Sequence, residues 1–274
     1  MLVVGERINT SRKVNKEPVI ETAVRQRDEE YVQKLARDQV EAGAACIDLN
    51  CGTLHEGEEE ALEWLTVTAQ AAVSAPLCFD SPNPAAIRRA IGAYDASKGP
   101  AMINSITAEA ERYGSILPLV LEHRTKVIAL AMDDSGIQAD GEKRFAVATK
   151  LVKDMLAAGV PADDVYVDPL TFPIGTGSEV GLTMLDVIRR LKGEFPDVHV
   201  SAGISNVSHG MPNRKILNEA MMVLAMGAGL DAAIIDPLDR TLMALIAAAE
   251  AILGRDDFSM NYITLAREGR FEGL

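Results

Sequence analysis

The sequence predicts a (β/α)8 TIM barrel, because apolar runs of strand length alternate eight times with longer segments of helical periodicity. The strands are predicted near residues 2–8, 45–50, 76–81, 100–105, 126–132, 165–169, 198–204 and 232–236. The helices are predicted near residues 28–42, 58–73, 84–93, 108–122, 142–158, 180–192, 213–227 and 239–253. Eight such units in roughly 250 residues match the size and the element order of a TIM barrel.

Residues at the helix ends support these boundaries. Gly43 and Gly159 follow the first and the fifth helix, where a left-handed residue commonly ends a helix. Pro84 and Pro212 lie near helix starts, where a missing N–H is tolerated. The alternative is a doubly wound open sheet, which usually has fewer strands and a glycine-rich turn after the first strand, unlike "GERINT" here. We expect residues 1–274 to form one domain, with 255–274 as a C-terminal helix or tail.

Composition and charge restrict the possible partners. The 274 residues are 48% hydrophobic and 24% charged, as in ordinary soluble globular proteins. A net charge of −13 disfavours nucleic acids and anionic membranes as partners, because both would repel such a surface. The sequence has no signal-peptide pattern and no window approaching 18 apolar residues, so we expect neither secretion nor a membrane span.

The cysteines indicate the redox compartment of the protein. Cys46, Cys51 and Cys78 are odd in number, and two of them lie in apolar strand-like runs, which predicts a reducing compartment. The chain has no CxxC pair and no His/Cys cluster, so no structural zinc site is expected. Together with the charge, these features are typical of a cytoplasmic enzyme.

In a TIM barrel the active site lies at the carboxyl ends of the strands, so the residues there are the first candidates for function. They are Glu6 to Asn9, Asp48, Asn50, Asp80, Ser81, Asn104, Ser105, Asp133, Asp134, Asp168, Ser205, Asn206 and Asp236. This set is rich in Asp and Asn and poor in Lys, Arg and His. No lysine is available at a strand end for a Schiff-base mechanism, and Asp236 and Asp239 lie where a phosphate site would need positive charge.

A pocket of carboxylates and amides suits a ligand that presents hydrogen-bond donors, such as the edge of an aminopyrimidine. A divalent metal is the rival interpretation of the same oxygen ligands, although their spacing matches no recognised pattern. No bound metal is predicted.

Several of these residues also have purely structural interpretations. Asp48 and Asn50 could cap the loop that follows them, and Asp80 and Asp168, each next to Ser-Pro or Pro, could form turns. Asn104 lies inside a strand, where an amide without a partner is unfavourable, which favours a ligand contact.

Six motifs in register resemble the pterin-binding methyltransferases. They are "VVGERIN", "IDLN", "LCFDS", "MINS", "VYVDPL" and "GISNVS" on strands one, two, three, four, six and seven. Among these enzymes, the chain resembles the methyltetrahydrofolate:corrinoid protein methyltransferases. It shares "GER" with the folate domain of cobalamin-dependent methionine synthase and resembles dihydropteroate synthase more distantly. The resemblance extends to about residue 250.

The resemblance implies a pterin bound by Asp80, Asn104 and Asp168, with Asp48 also at the substrate. Asn206 would lie near the nitrogen that carries the methyl group and would act as its hydrogen-bond donor, through a water network that reaches Asp80. Asn206 and Asp80 are therefore the predicted catalytic residues.

The loop after the seventh strand completes the implied site. Gly203 and Ser205 would shape this loop, and Arg214 would lie near the outer part of the substrate. His209 stands where relatives carry Gln; a substrate contact and an ordinary loop position are both open for it.

The implied reaction moves a methyl group between 5-methyltetrahydrofolate and the cobalt of a corrinoid. Methionine synthase would carry cobalamin and homocysteine modules, for which 274 residues leave no room, so the corrinoid is expected on a separate protein. The implied setting is anaerobic one-carbon metabolism, with the direction of transfer open.

The alternatives are a dihydropteroate synthase-like enzyme, disfavoured by the acidic "AAIIDPLDR" at the eighth strand, and a non-catalytic folate-binding module. A homodimer is expected from the family and from the apolar segment "EAMMVLAMGAGL".

Overall fold

Eight parallel strands close into a barrel in the computed structural model, which describes residues 1–274. The strands in chain order are β1 (Leu2–Asn9), β2 (Cys46–Asn50), β3 (Leu77–Asp80), β4 (Met102–Thr107), β5 (Lys126–Leu130), β6 (Met132–Asp133), β7 (Gly136–Ile137), β8 (Val165–Asp168), β9 (His199–Ala202) and β10 (Ala232–Ile235). Around the barrel the order is β1-β10-β9-β8-β5-β4-β3-β2, and β6 and β7 form a separate antiparallel hairpin. The predicted TIM barrel is confirmed.

Helices connect the strands and surround the barrel. They are α1 (Val19–Gln26), α2 (Glu29–Glu41), α3 (Glu58–Ala72), α4 (Pro84–Ala93), α5 (Ala110–His123), α6 (Gly141–Ala157), α7 (Val180–Glu194), α8 (Arg214–Ala228), α9 (Arg240–Ile252) and α10 (Met260–Arg267). The eight predicted helices are α2 to α9. The prediction missed α1 and the β6–β7 hairpin, which are short elements within βα connections.

Local signals explain where these helices begin and end. The Asp28 side chain accepts a hydrogen bond from the Tyr31 N–H at 3.1 Å and caps α2, while Arg27, with φ of 57°, separates α2 from α1. Gly43 and Gly159 have φ of 109° and 98°, which glycine adopts without a Cβ clash. The predicted glycine stops are therefore the observed ones.

The strands bury side chains on two sides. Residues that face the helices, including Ile47, Leu49 and Phe79, belong to a core of 60 buried residues. A smaller cluster fills the barrel interior and consists of Val4, Cys46, Cys78, Met102, Ile128, Tyr166 and Ala232. This apolar layer closes the interior below the carboxyl ends of the strands.

The C-terminal residues pack on the outside of the barrel. The Arg240 guanidinium donates to the carbonyl oxygens of Arg270 and Glu272, and the Arg270 guanidinium donates to the Glu41 carbonyl oxygen. These bonds hold the segment after α9 against α2 and α9. None of the helices is long and apolar enough to span a membrane, and all three cysteines are free and buried.

Candidate functional site

The polar candidates share one position in the barrel: each lies two residues beyond a member of the apolar interior layer. Side chains alternate between the two faces of a strand, so these residues also face the interior, one step nearer the carboxyl ends. The pairs are Val4 and Glu6, Cys46 and Asp48, Cys78 and Asp80, Met102 and Asn104, and Tyr166 and Asp168. The interior therefore changes from apolar to polar at the barrel mouth, by which we mean its carboxyl-end opening.

Three polar side chains near the mouth occupy neighbouring strands in register. Asn50 pairs with Asp80, and Asp80 pairs with Asn104, on β2, β3 and β4. The Asn50 Nδ2 donates to Asp80 Oδ2 at 2.7 Å, and Asn50 Oδ1 accepts from the Gly52 N–H at 3.1 Å. Asn50 is thus the loop cap that the sequence left open, and it also orients Asp80.

Asp48 lies on the same strand as Asn50 but deeper in the barrel. It is 1% exposed, and its Oδ1 atom has no hydrogen-bond partner in the structure. Burial and the nearby negative charge of Asp80 raise the pKa of Asp48 well above its usual range. Asp48 is therefore not a loop cap, and its carboxyl group is more stable with a proton or a donor beside it.

Asp80 is partly exposed at the mouth. Burial raises its pKa, and the hydrogen bond from Asn50 and the positive charge of Arg112 oppose this shift. Arg112 makes no hydrogen bond to Asp80; it donates to the backbone oxygens of Ser81, Pro82 and Ser105, joining the loops after β3 and β4. Asp80 thus keeps acceptor capacity for a ligand.

Asp168 lies across the barrel on β8. Its Oδ1 accepts from the Leu170 N–H at 2.7 Å, so the turn interpretation holds for one oxygen. Burial raises the pKa of Asp168 to about 6, against the effect of backbone N–H groups of Leu170 and Gly203 and of the Arg144 charge. Arg144 is itself buried and donates to the carbonyl oxygens of Pro169 and Leu170 behind the carboxylate.

Asn206 differs from its predicted position. Strand β9 ends at Ala202, and residues 204–208 form a 3-10 turn that contains Asn206, so this residue does not end a barrel strand. The chain leaves the strand at Gly203, where an added Cβ would lie 3.3 Å from Asn206 Nδ2. Asn206 is exposed, so its amide has no burial cost to offset. It is free to meet a ligand above Gly203.

Arg214 fastens this turn. Its Nη2 donates to the Ser205 carbonyl oxygen at 2.7 Å, and its Nε donates to Ser208 Oγ at 2.9 Å. Because these bonds join the first turn of α8 to the 3-10 turn, Arg214 positions the segment that carries Asn206. His209, at the end of that segment, is exposed and makes no side-chain hydrogen bond.

The sequence analysis missed an ionic cluster at the first strand. Arg7 Nη1 and Arg12 Nη2 donate to Asp236 Oδ2 at 2.8 and 2.6 Å, and Glu6 Oε1 lies 3.8 Å from Arg12 Nη1. Burial raises the pKa of Glu6 to about 7, and the negative charge of Asp236 adds to this effect. Glu6, Arg7 and Asp236 are among the strand-end candidates of the sequence, but Arg12 is not, and no local pattern shows that the four side chains meet.

The structure therefore brings Asp48, Asp80 and Asn104 together on adjacent strands, and it joins Asp168 to Gly203 on the other side of the mouth. No group of three or more His, Cys, Asp or Glu side chains is arranged to hold a metal ion. The mouth offers oxygen acceptors on two opposing walls, which is the arrangement that a flat heterocycle with N–H groups on its edge requires.

Comparison with known proteins identifies this pattern. Residues 13–236 match the family model of pterin binding enzymes. The chain belongs to the pterin-binding enzyme family. It is 31% identical over 272 residues to the methylcorrinoid:tetrahydrofolate methyltransferase of Eubacterium limosum. The aligned region covers 98% of this chain and 97% of that relative.

Two further proteins resemble this chain in sequence or in fold. The methionine synthase of Mycobacterium tuberculosis is 30% identical over 249 residues, which cover 86% of this chain but only 20% of that much longer protein. Among solved structures, the dihydropteroate synthase of Xanthomonas albilineans in complex with 7,8-dihydropteroate superposes with a TM-score of 0.66 at 19% identity, covering 93% of this chain and 94% of that one. This last likeness shows the shared fold.

Proposed function

We propose that this pterin-binding enzyme transfers a methyl group between tetrahydrofolate and the cobalt of a corrinoid that a separate protein carries. The observation that carries the proposal is the match with a methylcorrinoid:tetrahydrofolate methyltransferase along 97% of the length of that relative. That name places the methyl group on the corrinoid first, so we propose transfer to tetrahydrofolate as the working direction. We also propose that residues 1–274 act as one domain.

The acceptors at the mouth support a role in pterin binding. The aminopyrimidine edge of a pterin carries adjacent N–H groups, and one carboxylate can accept two such bonds. Asp168 would take this edge, while Asp80 and Asn104 would bind the facing edge. The raised pKa values of Asp80 and Asp168 support this assignment. Burial disfavours the charged form of both carboxyl groups, and hydrogen-bond donors of a ligand would stabilise that form. Asp48, below them, would anchor a ligand atom or a bound water.

The reaction needs a group that manages the charge on the reacting nitrogen. When methyl leaves the folate, the C–N electron pair stays on nitrogen, which must gain a proton or a donor; in the opposite direction nitrogen loses its proton as the new C–N bond forms. The corrinoid supplies the cobalt that accepts or donates the methyl group. Asn206 would donate its N–H to this nitrogen, and Asp80 would exchange the proton through water, because an amide cannot release one at neutral pH.

Other parts of the 203–214 segment would support this step. Gly203 leaves room for the Asn206 amide, and Arg214 holds the Ser205 carbonyl and with it the turn. His209 is exposed on the same segment, where it could contact the outer part of the folate or the corrinoid protein. The mouth must stay open, because the partner has to bring its corrinoid within bonding distance of the methyl group.

We further propose a homodimer in the cytoplasm of an anaerobic cell. Support for the dimer comes from exposed apolar side chains on α8 and at the end of α9: Ile216 is 65%, Leu224 56% and Ile252 84% exposed. Side chains of this kind on adjacent helices are typical of an interface between subunits. Light scattering of the purified chain measures this directly, and a monomer at micromolar concentration would contradict it.

The function is tested by following the absorbance of the corrinoid protein. With methylcorrinoid protein and tetrahydrofolate present, the enzyme should speed the loss of the methyl–cobalt spectrum and form stoichiometric 5-methyltetrahydrofolate. Tight binding of tetrahydrofolate without methyl transfer would instead support a non-catalytic binding module. Release of pyrophosphate from a pterin pyrophosphate in the presence of 4-aminobenzoate would support a dihydropteroate synthase.

A further inference from the structure

We propose that the loop after β1, residues 10–17, binds the anionic tail of the folate and makes the enzyme selective for folates with several glutamates. This proposal rests on the proposed function, because it concerns the same substrate. It arises from the uneven distribution of charge around the barrel mouth, which the pterin-binding residues do not explain.

The loop after β1, residues 10–17, carries more positive than negative charge, with Arg12, Lys13 and Lys16 against Glu17. Lys13 and Lys16 lie in the first loop, are exposed, and make no ion pair or side-chain hydrogen bond, although the protein carries a net charge of −13. Arg12 precedes them and is held by Asp236. Two lysines without ion pairs, against the single carboxylate of Glu17 in the same loop, leave a local attraction for anions at the site entrance.

The opposite side of the mouth is acidic. Strand β5 lies four places from β1 around the closed barrel, and the connection that follows it contains Asp133, Asp134 and Asp140. Asp133 and Asp140 accept hydrogen bonds from neutral N–H and O–H groups of their own loop and helix start, which leaves their negative charge in place. An anionic chain that leaves the pocket is therefore repelled on the β5 side and attracted on the β1 side.

The first loop is built to hold this position. The Val14 N–H donates to the Glu17 carbonyl and the Glu17 N–H donates to the Val14 carbonyl, at 2.9 and 3.0 Å. The two residues between them, Asn15 and Lys16, have φ of 52° and 71°. Such a turn favours glycine at its second central position, where a lysine costs about 1 kcal/mol. Lys16 thus occupies a position where glycine would strain the backbone less.

The loop is also tied to the site. Thr53 Oγ1, in the connection after β2, donates to Thr10 Oγ1 at 2.7 Å, and the Ser11 N–H donates to Asn9 Oδ1 at 2.9 Å. Asn9 pairs in register with Asn50, which in turn orients Asp80. The loop that carries the lysines therefore begins at a strand end that is level with those of Asn50 and Asp80.

The chemistry of the substrate matches this arrangement. Tetrahydrofolate ends in a glutamate with two carboxylates, and each further γ-linked glutamate adds one negative charge. With the pterin held at the mouth and the interior below it filled by the apolar layer, the tail can extend only outward. Two lysines on one rim would bind carboxylates of the added glutamates and leave the rest of the mouth open to the corrinoid protein.

The test compares tetrahydrofolate with one and with three glutamates by calorimetry. In the wild-type protein the triglutamate should bind about 10-fold more tightly at low salt, through two exposed ion pairs, and this advantage should shrink at high salt. The variant K13E/K16E should lose most of the advantage while its affinity for the monoglutamate changes little. Lys143→Glu is the matched control, because Lys143 is exposed and unpaired on the acidic side of the mouth, and it should keep the advantage.

Equal affinity of the wild-type protein for the two folates, or an advantage that survives in K13E/K16E, would overturn the proposal. A variant that keeps the advantage but needs more corrinoid protein for half-maximal rate would assign the lysines to protein docking instead, and would overturn it as well. Failure of the wild-type protein to bind even the monoglutamate would contradict the proposed function itself, so the two failures are distinguishable.

Discussion

The two ends of the barrel use the same kinds of ionisable residue in opposite ways. At the amino end, opposite the mouth, His199 lies 3.0 Å from both Asp231 and Asp163, and Lys192 lies 3.1 Å from Asp231. These bonds lower the pKa of Asp231 despite its burial. At the mouth, burial raises the pKa of Asp48, Asp80 and Asp168 because no cation bonds directly to them.

This contrast separates stability from function within one fold. A carboxylate with a bonded cation contributes to folding, whereas a buried carboxylate without one opposes it. Asp48, Asp80 and Asp168, unlike the ion-paired Asp236, are thus expected to be sites whose missing partners a ligand supplies. Substitutions at the two ends should therefore have opposite consequences.

The largest effect is expected for Asp168→Ala. Because donors on the pterin edge would be left buried without an acceptor, tetrahydrofolate binding should weaken by about 2–4 kcal/mol. Calorimetry measures this loss. Asp231→Ala, at the amino end, is the control and should bind tetrahydrofolate normally where it is folded; normal affinity in Asp168→Ala would remove Asp168 from the site.

A slightly smaller effect is expected for Asn206→Ala. Loss of one donor at the reacting nitrogen should lower turnover by about 100-fold, with a smaller loss of tetrahydrofolate affinity. Asn206→Asp keeps the size of the side chain but has no N–H, so its turnover should also be low. Steady-state methyl transfer with the corrinoid protein distinguishes the cases, and unchanged turnover in Asn206→Ala would exclude Asn206 from the mechanism.

Glu6 should show the cost of a mouth carboxyl whose burial outweighs the nearby positive charge of Arg12. Its pKa is about 7 in the folded protein against an ordinary value of 4.5, so the folded state holds the proton more tightly, and the stability contributed below pH 4.5 is lost as pH rises from about 4.5 to 7. Glu6→Gln removes this loss and should be more stable than the wild type at pH 8, by about 1–3 kcal/mol. Urea unfolding at pH 5 and pH 8 tests this. An equal difference in the free energy of unfolding between Glu6→Gln and the wild type at the two pH values would contradict it.

His199 should show the opposite consequence at a smaller scale. The hydrogen bond to Asp231, together with one to Asp163, raises the pKa of His199 above 6.5, against the effect of burial. The stability that charged His199 contributes is therefore complete below pH 6.5 and is lost as pH rises through its folded-state pKa. The charged groups around it include Lys192 and Lys126. His199→Gln should lose about 0.5–1 kcal/mol at pH 6, a partly exposed pair being weak, and the difference should vanish at alkaline pH. A constant difference would indicate lost stacking on Tyr166 instead.

Much of this organisation follows from local sequence. The period of apolar residues predicts the eight βα units, and the polar residues at or near their carboxyl ends, such as Asp80, Asn104 and Asp168, predict a donor-rich ligand. The bond from Arg7 to Asp236 joins residues 229 positions apart and exists only because β1 and β10 close the barrel, so no local pattern contains it. The apolar Ile204 extends the predicted strand to residue 204, whereas β9 ends at Ala202 and Ile204 is buried at the start of the 3-10 turn.

The most direct test of the contrast compares one substitution at both ends of the barrel. Asp168→Asn keeps an oxygen for the Leu170 N–H and removes a buried charge, whereas Asp231→Asn removes the charge that His199 and Lys192 contact. Urea unfolding at pH 7.5 should show Asp168→Asn to be at least as stable as the wild type and Asp231→Asn to be less stable by about 1–3 kcal/mol. Equal losses of stability in the two variants would contradict the account.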